Sequence, residues 1–343
     1  MWRRRGEHLF SPRTGVALLG AALLGAALLS AALLLLAAAP SAAETYPDRP
    51  LRIVIPFAAG GPNDMIARPL ADHLSQALGQ PVIIDNRPGA NGILGTTVVA
   101  KSPPDGYTLL MTTGSFTANP AAGAKTSYDA LNDFAPVTLL AQSFGIALMV
   151  RPDLPAKSLR DLVEMARRAP GSLSYAHSGV GNANYVTAEL FQKMAGIELI
   201  RVPYKGSASF APDIMSGQVT MAFMSAVIAT PNVKSGLLRA LATTGSERAP
   251  ALPDTPTFQE LGFKEMDVTG YFGLWFPAGT PGERVSLIQR EAAKALATPA
   301  VKKVIQDSGL KPIGSTPEEF SHFVARDFEW QKDIARRIGL QPE

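Results

Sequence analysis

The chain repeats one pattern, first as Ile146-Ala-Leu-Met-Val-Arg-Pro-Asp-Leu-Pro155 and again as Phe272-Gly-Leu-Trp-Phe-Pro-Ala-Gly-Thr-Pro281. Each copy is a short apolar run, typical of a buried strand, followed by a turn that ends in proline and by a helix start. We expect each copy to open a new lobe, in a chain that crosses to a second lobe and returns. Lobe one is predicted at residues 46–142 and 268–343, and lobe two at 143–267. Coincidence is the other explanation, since strand, proline turn and helix form a common unit.

Short apolar runs alternate with amphipathic stretches through the rest of the chain, which predicts an α/β fold with a mostly parallel sheet in each lobe. The predicted strands are Leu51–Phe57, Val82–Asp85, Tyr107–Thr112, Leu173–Ala176, Leu199–Pro203, Val219–Phe223 and Leu238–Ala242. The predicted helices are Met65–Leu78, Ile93–Ala100, Ser158–Arg168 and Tyr185–Ala195, with a helical tail from Pro281 and a short strand near Lys311–Ile313.

The first 43 residues have the composition of a signal peptide. A basic start is followed by an apolar run from Val16 to Ala39 and by small residues before Glu44, where we expect cleavage. The alternative is an uncleaved membrane anchor, because the run is long enough to span a bilayer. The chain has no cysteine for a lipid anchor, and an exported chain without a second apolar span is expected in the periplasm.

Charge and cysteine content exclude several classes of function. The leader holds four Arg and one Glu, so the mature part has 28 basic and 28 acidic residues, and no nucleic-acid partner is expected. The absence of cysteine excludes disulfides, thiolate metal sites and cysteine nucleophiles. No cofactor or metal site is predicted.

The sequence offers little for catalysis, and we predict that the chain is not an enzyme. The histidines lack metal-ligand spacing, and no nucleophile elbow or phosphate-binding loop is present. Gly179 and Gly181 belong to a dinucleotide fingerprint that lacks its third glycine. An exported hydrolase that uses Ser178 with His177 is the alternative, although neighbours on a strand point to opposite faces.

Three loops rich in Gly, Asn and Ser follow predicted strands and precede predicted helices, at residues 57–64, 114–119 and 178–185. Open α/β sheets bind ligands at the carboxyl ends of their strands. Glycines allow close approach to backbone N–H groups, and a helix N-terminus favours an anion. Such loops can hold a carboxylate without Arg or Lys. Any one of them can equally be an ordinary turn with a helix cap.

Motifs along the mature chain resemble those of the Bug-type receptors, the solute-binding proteins of the tripartite tricarboxylate transporter family. They occur in order, and they are Tyr46-Pro-Asp-Arg-Pro-Leu-Arg-Ile-Val-Ile-Pro-Phe-Ala-Ala-Gly-Gly61, Asn86-Arg-Pro-Gly-Ala90, Pro104-Asp-Gly-Tyr-Thr-Leu109, Asp133-Phe-Ala-Pro-Val137, Val202-Pro-Tyr-Lys-Gly206, Leu238-Arg-Ala-Leu-Ala242, Pro250-Ala-Leu-Pro-Asp-Thr-Pro-Thr257 and Phe276-Pro-Ala-Gly-Thr-Pro281.

The resemblance implies a two-lobed periplasmic binding protein of the type II-like, Venus-flytrap class that closes on a small carboxylate. Its partners would be the integral membrane subunits of a transporter, or a membrane sensor, and it would be a monomer. We expect ligand binding by Phe57, Ala58, Gly60, Gly61, Asn63, Asp64, Ser115, Asn119, Ser178, Gly179, Gly181, Asn182, Asn184, Tyr185, Tyr204 and Ser225. Asp64 is equally suited to capping the helix or pairing with Arg68.

Departures from the family pattern fall on the loops themselves. Pro62-Asn63 stands where the family often has Gly-Thr, and Pro62 lacks the N–H of a glycine. Tyr185 and Met224 replace a His and an acidic residue, which predicts a more apolar distal pocket and a less polar or aromatic carboxylate. The sequence does not separate a transport receptor from a sensing receptor, since both use closure on a ligand.

Overall fold

The computed structural model describes residues 46–178, 182–204 and 209–340, and the predicted leader lies outside these residues. The strands, in chain order, are β1 (Leu51–Ile55), β2 (Val82–Asn86), β3 (Thr108–Thr113), β4 (Phe134–Ser143), β5 (Ile146–Val150), β6 (Ser174–His177), β7 (Ile200–Pro203), β8 (Met221–Ser225), β9 (Arg239–Thr243), β10 (Tyr271–Pro277) and β11 (Leu310–Pro312). The α-helices are α1 (Pro62–Leu78), α2 (Ile93–Ala100), α3 (Ser115–Ala121), α4 (Leu159–Arg168), α5 (Ala183–Ala195), α6 (Phe210–Ser216), α7 (Ala226–Lys234), α8 (Gly282–Ala297), α9 (Pro299–Asp307) and α10 (Pro317–Arg337).

The strands form two sheets with the same plan. The first has the order β11-β4-β10-β3-β1-β2 and the second the order β7-β6-β8-β5-β9. In the first sheet, β10 returns from the second sheet and lies between β3 and β4. In the second, β5 arrives from the first sheet and lies between β8 and β9. The two segments of the repeated sequence pattern therefore form equivalent strands.

Each sheet combines parallel pairing, as predicted, with antiparallel pairing. The predicted parallel pairing is found where β1 lies between β2 and β3, and where β6 lies between β7 and β8. The remaining pairings are antiparallel. The physical reason is the crossing: a strand that enters from the other sheet runs opposite to the strands that are joined by helices within the sheet.

Helices cover both faces of each sheet. In the first sheet Ile53 faces a core shared with α1, α8 and α9, whereas the next residue, Val54, faces a core shared with α2, α3 and α10. In the second sheet Leu148 faces α4 and α5, and Met149 faces α6 and α7. This alternation follows from the period of two along a strand, and each fully buried aliphatic side chain contributes about 1.5–3 kcal/mol.

Two segments carry the chain between the sheets, one at Gly145 and the other beginning at Thr244. Their backbones are in contact. A Cβ placed on Gly145, which has a φ of +115°, would lie 1.7 Å from the carbonyl oxygen of Thr244. The Thr244 hydroxyl accepts a hydrogen bond from the N–H of Ile146 at 2.8 Å and donates one to the carbonyl of Val268. One hydroxyl thus ties the outgoing crossing to the returning one.

Candidate functional site

The carboxyl ends of the parallel strands lie at the crossing side of both sheets. Thr113, the last residue of β3, pairs with Phe272, near the start of β10. Ser225, the last residue of β8, pairs with Ile146, the first residue of β5. Both β5 and β10 start where the chain has just crossed. The loops after β1, β3, β6 and β8 therefore all lie on the side where the sheets are joined, and we call the region between them the cleft.

The loop after β1 is organised by Asp64, which is 2% exposed. Its carboxylate accepts hydrogen bonds from the N–H of Gly60 at 2.9 Å and from the Arg68 guanidinium at 2.9 and 3.1 Å. Burial alone would raise the pKa of Asp64, but these hydrogen bonds outweigh it and hold the pKa below its usual range. The pairing with Arg68 that the sequence allowed is present, and it neutralises the acid beside the helix N-terminus.

The N-terminus of α1 follows this loop directly. Gly61 is its N-cap residue without a side-chain cap, and Pro62 occupies the first turn. Asn63 is only 5% exposed, and its Oδ1 has no hydrogen-bond partner among the described residues. Phe57 is half-buried against the core, and Ala58 and Gly60 are exposed.

The two predicted ligand residues after β3, Ser115 and Asn119, differ in the hydrogen bonds that their side chains make. Ser115, the first residue of α3, lies 3.3 Å from the Thr113 hydroxyl. The amide of Asn119 is fully engaged with Asn91, accepting from its Nδ2 at 2.8 Å and donating to its carbonyl at 3.1 Å. Asn91 itself has a φ of +50°. Asn91 was not among the predicted residues, although an Asn-Gly pair is a turn signal that could have indicated it.

In the second sheet, two asparagines that follow β6, Asn182 and Asn184, form hydrogen bonds with Ser178. Asn184 accepts hydrogen bonds from the N–H and hydroxyl of Ser178, both at 3.2 Å. Asn182 donates to the Ser178 carbonyl at 2.9 Å. Gly179 and Gly181 lie outside the described residues, so their role stays a prediction. Both asparagine side chains therefore hold Ser178 close to the N-terminus of α5.

Three further predicted ligand residues lie in or next to the strands and helices of the second sheet. Tyr185 is 7% exposed and packs edge-on against His177. Tyr204 donates to Asp213 at 2.5 Å, and burial together with this bond raises the pKa of Tyr204 to about 12. Ser225 is exposed and caps α7 without a side-chain hydrogen bond.

Met224, expected beside Tyr185 in a distal pocket, lies instead in the core against α6 and α7.

An ion pair between the buried Glu189 and the exposed Arg201 holds α5 in place, and the sequence pattern did not predict it. Glu189 accepts from the Arg201 guanidinium at 2.7 and 2.8 Å and from the Tyr175 hydroxyl at 2.5 Å. Burial raises the pKa of Tyr175, and the hydrogen bond to Glu189 raises it further. For Glu189 the effect of burial is outweighed by Arg201 and Tyr175, which lower its pKa. The pair joins α5 to β6 and β7.

A surface groove of about 530 Å³ lies elsewhere, between the ends of α4, α5 and α10, and none of its lining residues is a predicted ligand residue. Its cations already have partners: Arg167 donates to the Ala195 carbonyl, Lys193 to the Arg337 carbonyl, and Arg337 pairs with Glu265. Within residues 46–178, 182–204 and 209–340, no group of three acidic or histidine side chains is placed to hold a metal ion. No helix of this part of the chain is long and apolar enough to span a bilayer.

The family described as "Tripartite tricarboxylate transporter family receptor" matches residues 66–340, which is most of the chain. The chain belongs to this family. Protein BugT of Bordetella pertussis is 34% identical to it over 306 residues, covering 89% of this chain and 94% of BugT. The match to the family begins just after the loop at residues 57–64.

Two solved structures of relatives share the fold. The R. palustris protein Rpa4515, solved with adipate, is 33% identical, has a TM-score of 0.74 and covers 87% of this chain and 100% of its own. MatC of Rhodopseudomonas palustris, solved with bound malate, is 31% identical with a TM-score of 0.70, covering 84% and 100%. The expected two-lobed periplasmic-binding-protein fold is thus confirmed, and the family is one of solute-binding receptors.

Proposed function

We propose that the chain is a periplasmic receptor that captures a small carboxylate in the cleft and delivers it to a tripartite tricarboxylate-type membrane transporter. The observation that carries this proposal is the convergence of the Gly-, Asn- and Ser-rich loops of both sheets on the crossing side. A ligand held there would contact both sheets at once, which is how ligand binding favours closure.

The chemistry of the cleft suits an anion held by backbone groups. None of the predicted ligand residues is Lys or Arg. The N-terminus of the 17-residue helix α1 opens at the cleft, and its dipole favours negative charge. Asp64 would oppose that field, but Arg68 neutralises it. The adipate- and malate-bound relatives support a carboxylate for this chain as well.

The remaining parts of the proposal concern the whole chain. Lobe one comprises residues 46–142 and 268–343, lobe two comprises residues 143–267, and the monomeric mature protein is released into the periplasm when residues 1–43 are cleaved. It carries out no catalysis. The Ser178 hydroxyl, the nucleophile of the hydrolase alternative, is hydrogen-bonded to the amide of Asn184, which is not a base.

Calorimetric titration of residues 44–343 with adipate, malate and benzoate tests the proposal, and we expect at least one of them to bind. Ser225→Asp places a negative charge at the carboxyl end of β8 and should weaken binding at least about tenfold, or 1.4 kcal/mol. Ser158→Asp is the matched control, because both serines are N-cap residues and aspartate is an equally good cap. Binding of none of the three, or equal affinities for both variants, would contradict a carboxylate site in the cleft.

A further inference from the structure

The last helix, α10, contacts both sheets. Its first half packs against β10 of the first sheet, where Phe320 contacts Trp275 at a ring distance of 4.8 Å and Phe323 contacts Tyr271 at 4.9 Å. Its last turns pack against the core of the second sheet, where Ile334 is buried. The helix is thus a third connection between the sheets, in addition to the two crossing segments.

The end of α10 is fastened to the second sheet by charged groups. Arg337 forms ion pairs with Asp333 of the same helix and with Glu265, which follows β9. The Arg337 carbonyl accepts a hydrogen bond from Lys193 of α5. A lysine at this position also complements the negative end of the helix dipole. The end of α10 is therefore anchored to elements of the second sheet.

Between these two halves, Asp327 contacts the first sheet through two hydroxyl groups. Its Oδ2 lies 2.5 Å from the hydroxyl of Thr117 and 3.2 Å from that of Tyr271. Thr117 is fully buried on α3, and Tyr271 is 1% exposed. No Lys or Arg forms an ion pair with Asp327 in the described part of the chain. Burial raises the pKa of this carboxyl, and the hydrogen bonds from Thr117, Tyr271 and Gln331 only partly offset it.

Both partners of Asp327 belong to the cleft side of the first sheet. Tyr271 is the first residue of β10, where the chain returns from the second sheet. Thr117 lies in the first turn of α3, and its hydroxyl is also 3.0 Å from the carbonyl of Gly114, immediately before the predicted ligand residue Ser115. We propose that Asp327 is a positioning residue, which through Thr117 and Tyr271 sets the position of the second sheet relative to the first-sheet edge of the cleft.

The test measures the distance between the sheets in the ligand-free protein. Because the chain has no cysteine, spin labels can be placed at Gln76→Cys on α1 and Arg160→Cys on α4, which are both exposed. Asp327→Asn and Thr117→Val should each give a distance distribution about twice as wide, since a released helix lets the sheets populate more relative positions. Thr117→Ser, which keeps the hydroxyl, should restore the narrow distribution. Glu329→Gln removes a charge from the exposed face of the same helix and is the control.

Affinity for adipate, which rests on the proposed function, provides the second measurement. Asp327→Asn should weaken binding about tenfold, because the arrangement of the sheets that binds ligand then forms a smaller fraction of the free protein, and Glu329→Gln should not. If Asp327→Asn and Thr117→Val lower only the melting temperature and keep the wild-type distances, Asp327 is merely structural and the proposal is wrong. If adipate does not bind the unmutated protein, adipate fails as a ligand, while the ligand-free distances still decide the role of Asp327.

Discussion

At Gly145 the two crossing segments are in direct backbone contact. A Cβ at this position would overlap the Thr244 carbonyl, and the φ of +115° excludes most side chains. We expect Gly145→Ala to prevent folding or to lower the free energy of unfolding far more than Gly171→Ala. Gly171 also has a positive φ, of +68°, but nothing lies within 4 Å of the added Cβ. Its substitution should therefore cost only the conformational strain of about 1–2 kcal/mol. Chemical denaturation of both variants measures the difference, and similar losses would show that the crossing segments are not in contact.

Asp64 makes the stability of the first loop dependent on pH. Its pKa is lower in the folded protein than the ordinary value of about 3.9, so the folded state binds its proton less tightly than the unfolded state. Its contribution is therefore present above about pH 4 and is lost as the pH falls through the folded pKa. The difference in melting temperature between wild type and Asp64→Asn should shrink between pH 5 and pH 3. Asp72→Asn, at an exposed position of the same helix, is the control. A difference that is constant over this range would contradict the account.

Some residues of the candidate site could be predicted from sequence, and the contacts of others could not. Glycine- and asparagine-rich turns are visible in sequence because their backbone conformations favour few residue types, and Gly60 does have a φ of +80°. The pairing of Asn119 with Asn91, 28 residues earlier, was not predictable because local patterns carry no information on distant contacts. The same reason explains why Tyr185 was expected in a pocket and lies among buried neighbours. Its ligand role stays a prediction.

At the scale of elements, hydrophobic periodicity located most helices and strands to within a few residues. Helix α2 begins and ends as predicted, and α1 begins three residues earlier because Pro62 occupies its first turn. Strand β4 was not predicted. Its Pro136 argues against a strand, but this residue pairs with Trp275 next to an irregularity in register, where the missing N–H is tolerated.

Helix α4 begins with a capping box. We expect this box to contribute to the stability of the protein and not to ligand binding. The Ser158 hydroxyl accepts a hydrogen bond from the N–H of Asp161, and the Asp161 carboxylate accepts one from the N–H of Ser158. Ser158→Ala should lower the free energy of unfolding by about 1 kcal/mol. Carboxylate affinity should not change, because α4 follows the end of β5 that points away from the cleft. Parallel denaturation and calorimetry test both statements, and a weaker affinity in Ser158→Ala would be inconsistent with this placement.

At the scale of the molecule, the repeated pattern at residues 146–155 and 272–281 predicted two equivalent strands, and the shared strand order bears this out. The antiparallel pairings were not predicted, because strand direction depends on where the chain crosses. The contact of α10 with both sheets was also missed. An amphipathic helix shows one apolar face in sequence, and that face does not reveal that it is divided between two cores.

The contact between the two crossing segments depends on the hydroxyl of Thr244. Thr244→Val removes the hydroxyl that serves Ile146 and Val268, and leaves a buried N–H and a buried carbonyl without this partner. We expect a loss of about 1–3 kcal/mol in the free energy of unfolding. Thr244→Ser retains the hydroxyl and should lose much less. A larger loss in Thr244→Ser than in Thr244→Val, measured by urea denaturation, would show that the methyl group matters more than the hydrogen bonds.

A crystal structure of residues 44–343 with the carboxylate that binds most tightly tests the central claim most directly. The account predicts one ligand carboxylate beside the N-terminus of α1, with residues of both sheets in contact with the ligand and the two sheets closed around it. A ligand bound in the groove between α4, α5 and α10, or one that contacts a single sheet, would contradict it.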